Sequence, residues 1–165
     1  MGVLAPQTRL LRKAFKDMTL NVNNTTGSIA TFTVTGAVRI VGFWGEVTTV
    51  LSSNVTAAHI RLNDQTATVD LSLNTGVTLN SAPVGSIISR SGLAAAALTL
   101  QSNAAGALLD AASAGRDTFT PFVIVKKTGA TTTIDFRYTT TNAPSSGVIR
   151  WYAVYEPISG DGALS

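Results

Sequence analysis

Cysteine is absent from the 165-residue chain, and histidine occurs once, at His59. The first absence removes disulfides and thiolate metal sites, and leaves the redox compartment unread. The second removes Ser-His-Asp chemistry and any multi-histidine metal site built within one chain. Charge is scarce as well: Asp, Glu, Lys and Arg make up 13% of the residues, against a usual quarter. No apolar run approaches the roughly 20 residues needed to cross a bilayer. Met1–Leu20 lacks the apolar stretch that follows the basic start of a secretory signal, and Pro6 stands where myristoylation at Gly2 requires Ser or Thr. These absences predict a chain with no membrane span, no leader, no lipid anchor and no cofactor.

What fills the space is Thr, Ser, Ala, Asn and Gly. A surface of hydroxyls and amides, with few Lys and Glu to keep a free protein soluble, predicts that much of it is covered in the working state. From Ser28 onward the pattern has period two. Ala67, Val69, Leu71 and Leu73 alternate with polar residues in Thr66–Leu73, and Ile134, Phe136 and Tyr138 do so in Thr131–Thr139, as half-buried strands require. Further strands are predicted at Ile29–Thr35, Val38–Trp44, Glu46–Leu51, Ala58–Leu62, Val84–Ser89, Phe119–Lys126 and Gly147–Tyr155, with Gly, Asn or Pro in most of the gaps. Many short strands at this spacing predict an all-β fold, an antiparallel sandwich or barrel. Residues 92–115, rich in Ala but interrupted by Gly106, Ser and Asn, fit strand, helix or loop equally.

The expected organisation is an N-terminal arm and hinge over 1–27, a β domain over 28–157 and a mobile tail over 158–165. The arm carries Arg9, Arg12, Lys13 and Lys16 among Leu10, Leu11, Ala14, Phe15 and Met18, a spacing that is weakly helical. It reads as an extended or helical segment that a partner orders on docking, with a solvated tail as the plainer alternative. Val148–Tyr155 is apolar on both faces, which suits a central strand or one whose outer face meets another subunit. On the second reading Trp151, Tyr152 and Tyr155 form an oligomer interface.

A search for chemistry returns little. Glu46, Glu156 and seven aspartates show no spacing that recommends a glycosidase pair, and the aspartates fall mostly at turns or on polar strand faces. Gly160 and Gly162 open neither a helix nor a dinucleotide motif. Trp44, Trp151, Tyr152 and Tyr155 fit core or interface better than a sugar platform. His59, on one side of its strand with Ala57 and Arg61, reads as a surface or interface histidine. Arg39, Arg61, Arg90, Arg116, Arg137 and Arg150 are scattered singly, so no nucleic-acid footprint forms, and the excess of Arg over Lys suits bidentate pairing at a protein interface. The chain reads as a binding or structural protein and not as an enzyme.

Three stretches carry a family likeness. Phe32–Gly36 (FTVTG), then Val38–Gly45 (VRIVGFWG) with Val47–Thr49 (VTT), and finally Gly147–Pro157 (GVIRWYAVYEP), resemble the opening and closing strands of capsid decoration, or cement, proteins of tailed bacteriophages. The resemblance implies a jelly-roll-like β domain, usually a homotrimer, that sits on the outer capsid surface and bridges subunits of the major capsid protein. The arm's own residues, with Arg9, Arg12, Lys13 and Lys16 flanking apolar Leu10, Leu11, Phe15 and Met18, predict that Met1–Leu20 docks on a neighbouring capsid or decoration subunit. A head-fibre or tail component and a carbohydrate-binding sandwich are the alternatives.

Overall fold

The computed structural model describes residues 10–74, 76–90, 96–102, 119–141 and 143–165. Among these there is no helix. Eleven strands follow in order: β1 (Arg12–Thr19), β2 (Thr26–Thr35), β3 (Ala37–Thr49), β4 (Val55–Asn63), β5 (Thr68–Asp70), β6 (Ile87–Arg90), β7 (Leu98–Gln101), β8 (Phe122–Val125), β9 (Thr132–Thr140), β10 (Val148–Pro157) and β11 (Ala163–Leu164).

All pairings are antiparallel and build two sheets. The first has the order β1-β10-β3-β6-β7, with β8 also pairing β3; the second has the order β11-β2-β9-β4-β5. The chain changes sheet at every step from β1 to β4, again between β5 and β6, and at every step from β8 to β11. Strands distant in sequence therefore lie side by side, β1 with β10 and β2 with β9. This is a β-sandwich with jelly-roll-like connectivity.

Alternation explains which side chains lie between the sheets. Ile134, Phe136 and Tyr138 of β9 face Ile149, Trp151, Ala153 and Tyr155 of β10, and all are buried. Each such large apolar side chain contributes on the order of 1.5–3 kcal/mol on burial. In β3 the inward positions are Val38 and Ile40, then Phe43, Gly45 and Val47. The change of parity coincides with a bulge, since Ile40 pairs Tyr155 while Gly42 pairs Val154. Gly45, expected to separate two strands, lies inside β3 instead. A Cβ there would come within 2.8 Å of Ile149 and 3.1 Å of the Trp151 ring, so the glycine makes room for the indole across the ladder.

Three further expectations change. Thr66–Leu73 is strand only over Thr68–Asp70, because the backbone N–H groups of Leu71 and Ser72 both turn to the Ile60 carbonyl. Leu71 is buried, whereas Val69 and Leu73 are exposed. The segment expected as an arm is, from Arg12, a strand of the first sheet, and pairing with β10 replaces the helical spacing by alternation. The hinge is tied down too: the Tyr138 hydroxyl accepts from the N–H groups of Asn21 and Val22 at 3.0 and 3.1 Å. The C-terminal tail is held by β11 on β2, by Leu164 in the core and by Ser159 Oγ accepting from Ala37 N at 2.7 Å. Of 92–115, residues 96–102 are described and include β7; the rest lies outside the described residues.

Candidate interaction surface

The outer face of the first sheet is built from the residues that alternate with the core. Across three adjacent strands Phe15 of β1 faces Tyr152 of β10, which faces Trp44 of β3. The rings form a row: centroids are 6.4 Å apart for Phe15 and Tyr152, and 5.2 Å apart, at an interplanar angle of 20°, for Tyr152 and Trp44. Phe15 is 65% exposed at the outer end of the row. Exposed aromatic area of this kind is expensive to leave in water and is the usual anchor of a protein interface.

Charges frame the row. Lys13 Nζ lies 4.6 Å from the Tyr152 ring centroid, and the Arg150 guanidinium lies 5.6 Å from that of Phe15. Arg150 also makes a two-pronged pair with Asp17 across β1 and β10, at 2.6 and 2.8 Å. Hydrogen bonding from that guanidinium holds the Asp17 carboxyl below the usual carboxylate range. The Tyr152 hydroxyl donates to Glu46 at 3.2 Å. Between Lys13, Phe15, Arg150 and Tyr152 lies a shallow depression of about 300 Å³. Such a surface can take an apolar side chain against the rings and satisfy a charge beside it.

The chain matches no protein-family model, no curated protein and no solved structure.

Of the expected docking residues, Arg9 lies outside the described ones. Leu10 and Leu11 are 75% and 60% exposed just before β1, and Arg12, Lys13, Phe15 and Lys16 are exposed on it. Met18 is buried in the core and is not available to a partner. The expected oligomer interface divides in the same way. Trp151 and Tyr155 point between the sheets, with Trp151 fully buried against Phe43 and Phe136, so neither can meet another subunit; only Tyr152 faces outward. The physical reason is strand parity, which sends residues 151 and 155 to one face and 152 to the other. The place of Trp44 beside Tyr152 follows only from the pairing of β3 with β10. Among the described residues no three His, Asp or Glu side chains gather closely enough to hold a metal ion. No helix there is long and apolar enough to cross a membrane.

Proposed function

We propose that the chain is a virion structural protein that decorates the outer surface of a tailed-phage capsid as a homotrimer, bridging major capsid protein subunits through the outer face of the first sheet. The observation that carries this reading is the outward-facing row of exposed Phe15 with half-buried Tyr152 and Trp44, preceded in the chain by exposed Leu10 and Leu11, in a sequence with only 13% charged residues. The opposite sheet supports it by contrast, since its outer face carries His59, Arg61, Asp70, Asp135 and Arg137 and, among the described residues, no aromatic row. An aromatic face toward a protein partner and a polar one toward water orient the module on a shell. Resemblance to the decoration proteins supplies the identity of the partner.

The proposed role needs binding and no turnover. Packaged DNA pushes a capsid outward, and a ligand that binds only the closed shell stabilises it by mass action. Three linked copies convert a weak single contact into a strong joint one.

The test mixes purified protein with undecorated shells and measures co-sedimentation. Saturable binding is expected, and changing Phe15 and Tyr152 together to Ser should weaken it by about 30-fold or more, as loss of interface anchors does. A wild-type chain that leaves the shells unbound, or a double variant that binds as tightly as wild type, overturns the proposal.

A further inference from the structure

The outer face of the second sheet holds a cleft of about 380 Å³, remote from the aromatic row and lined almost wholly by polar groups. Three strands meet there in register: Ser28 of β2 lies opposite Arg137 of β9, and Arg137 lies opposite His59 of β4. Among the described residues neither of its two guanidinium groups makes a hydrogen bond, and Arg61 is held only by a long ion pair with Asp135. Arg61 Nε is buried, makes no hydrogen bond among the described residues and lies 3.9 Å from Asp135 Oδ2, beyond hydrogen-bond reach. Asp135 is already served by Ser28 Oγ at 3.0 Å, Asn63 Nδ2 at 3.1 Å and Thr133 Oγ1 at 2.6 Å. The guanidinium of Arg137, a half-buried residue lining the cleft, has no hydrogen bond or ion pair among the described residues.

His59 points the same way. Its Nδ1 lies 3.0 Å from the Ala57 carbonyl, and that contact, made as a donated hydrogen bond, leaves Nε2 turned toward Asp70 at 3.9 Å. The imidazole is aimed by a bulge. Thr56 pairs Thr139 and His59 pairs Arg137, so β4 spends one more residue than β9, and Ala57 adopts a φ of 49°, unusual for a residue with a Cβ. Bulges and unfavourable backbone conformations persist where the surrounding structure enforces them, and they concentrate at binding sites.

The geometry points to a binding site for a carboxylated monosaccharide, a uronic or sialic acid, in the cleft formed by His59, Arg61 and Arg137. A buried donor without a hydrogen bond, as at Arg61 Nε, carries a desolvation cost that an anion would relieve. The two planar forks of Arg61 and Arg137 suit a carboxylate. A dianionic phosphate is disfavoured, because Asp70 lines the cleft and Asp135 lies beneath it. Around the cations stand the hydroxyls of Thr26, Thr68 and Thr139 and the amide of Asn74, which donate and accept as sugar hydroxyls do. This inference is independent of attachment to a shell and is tested on the free chain.

The experiment titrates purified protein with glucuronic acid and N-acetylneuraminic acid, with glucose and inorganic phosphate as controls, and follows backbone amide resonances. An acidic sugar is expected to give saturable shifts in β4 and β9 with a Kd at least roughly tenfold below that for glucose. Arg137→Gln should raise that Kd roughly tenfold or more while the resonances of the first sheet stay in place. If Arg137→Gln does not fold, Arg137→Lys, which keeps the charge and loses the fork, is read instead and should also weaken binding. Equal affinity for glucose, phosphate binding as tight as the acidic sugar, no saturation by either acid, or an unchanged Kd in the variant overturns the proposal.

Discussion

Trp151 is the largest fully buried side chain among the described residues, with ring centroids 5.2 Å from Phe43 and 5.3 Å from Phe136. It joins both sheets, since Phe43 belongs to the first and Phe136 to the second. The Gly45 directly across the ladder is the complement of its bulk. Trp151→Ala should cost about 3–5 kcal/mol in urea unfolding, the range for emptying an aromatic site in a core. Trp151→Phe should cost less, roughly 1–2 kcal/mol, because the indole Nε1 finds no hydrogen-bond partner among the described residues and its loss leaves no acceptor unpaired. A loss under about 1 kcal/mol for the alanine variant would show that the site collapses and that Trp151 does not hold the sheets together. Tyr152, one residue on, separates the two roles, since its ring lies outside the core and its removal is expected to act on binding.

At the scale of the element, β1 decides what can be removed. It pairs with β10 from Arg12 to Thr19, delivers Met18 to the core and leads to buried Leu20, whose N–H donates to the Gly147 carbonyl at 3.0 Å. Removing Met1–Leu11 should leave thermal unfolding unchanged within about 0.5 kcal/mol and weaken attachment to shells. Removing Met1–Leu20 should cost several kcal/mol, because Met18 and Leu20 each contribute about 1.5–3 kcal/mol by burial. It should also bring aggregation, because the edge of β10 is then unpaired. Equal stability of the two truncations would place β1 outside the cooperative unit. The charged residues Arg12, Lys13, Lys16 and Asp17 along this edge strand have a second effect, discouraging unspecific pairing with other chains.

The whole molecule has two unlike outer faces, an aromatic one on the first sheet and a charged, hydroxyl-rich one on the second, and a net charge of +3. A homotrimer is expected to use part of the aromatic face or the surface next to it, with Tyr152 and not Trp151 or Tyr155 near the contact. Light scattering at micromolar concentration should give three times the 17.1 kDa chain mass. A mass that stays at one chain on concentrating, with and without shells, would remove the trimer from the proposal. Exposed Val123 and Val125 of β8 extend the apolar character of the first sheet beyond the row.

Period-two alternation in the sequence was enough to assign the all-β class and to place Ile134, Phe136 and Tyr138 on one side of their strand, because side-chain direction along a strand depends only on parity. Parity was also enough to put Arg137 and Thr139 on the opposite side. It says nothing of which strand lies alongside, and hydrogen-bonded neighbours here are as far apart as Phe15 and Tyr152, or Thr26 and Thr139. Single-residue bulges in β2, β3 and β4 shift parity where the sequence has no marker. The strand character of Arg12–Thr19 is likewise imposed by the free edge of β10, since its own residues carry only weak helical spacing. The aromatic row and the Arg61 and Arg137 cleft are products of that pairing: their residues are scattered in the chain, and only the register of the sheets brings them together.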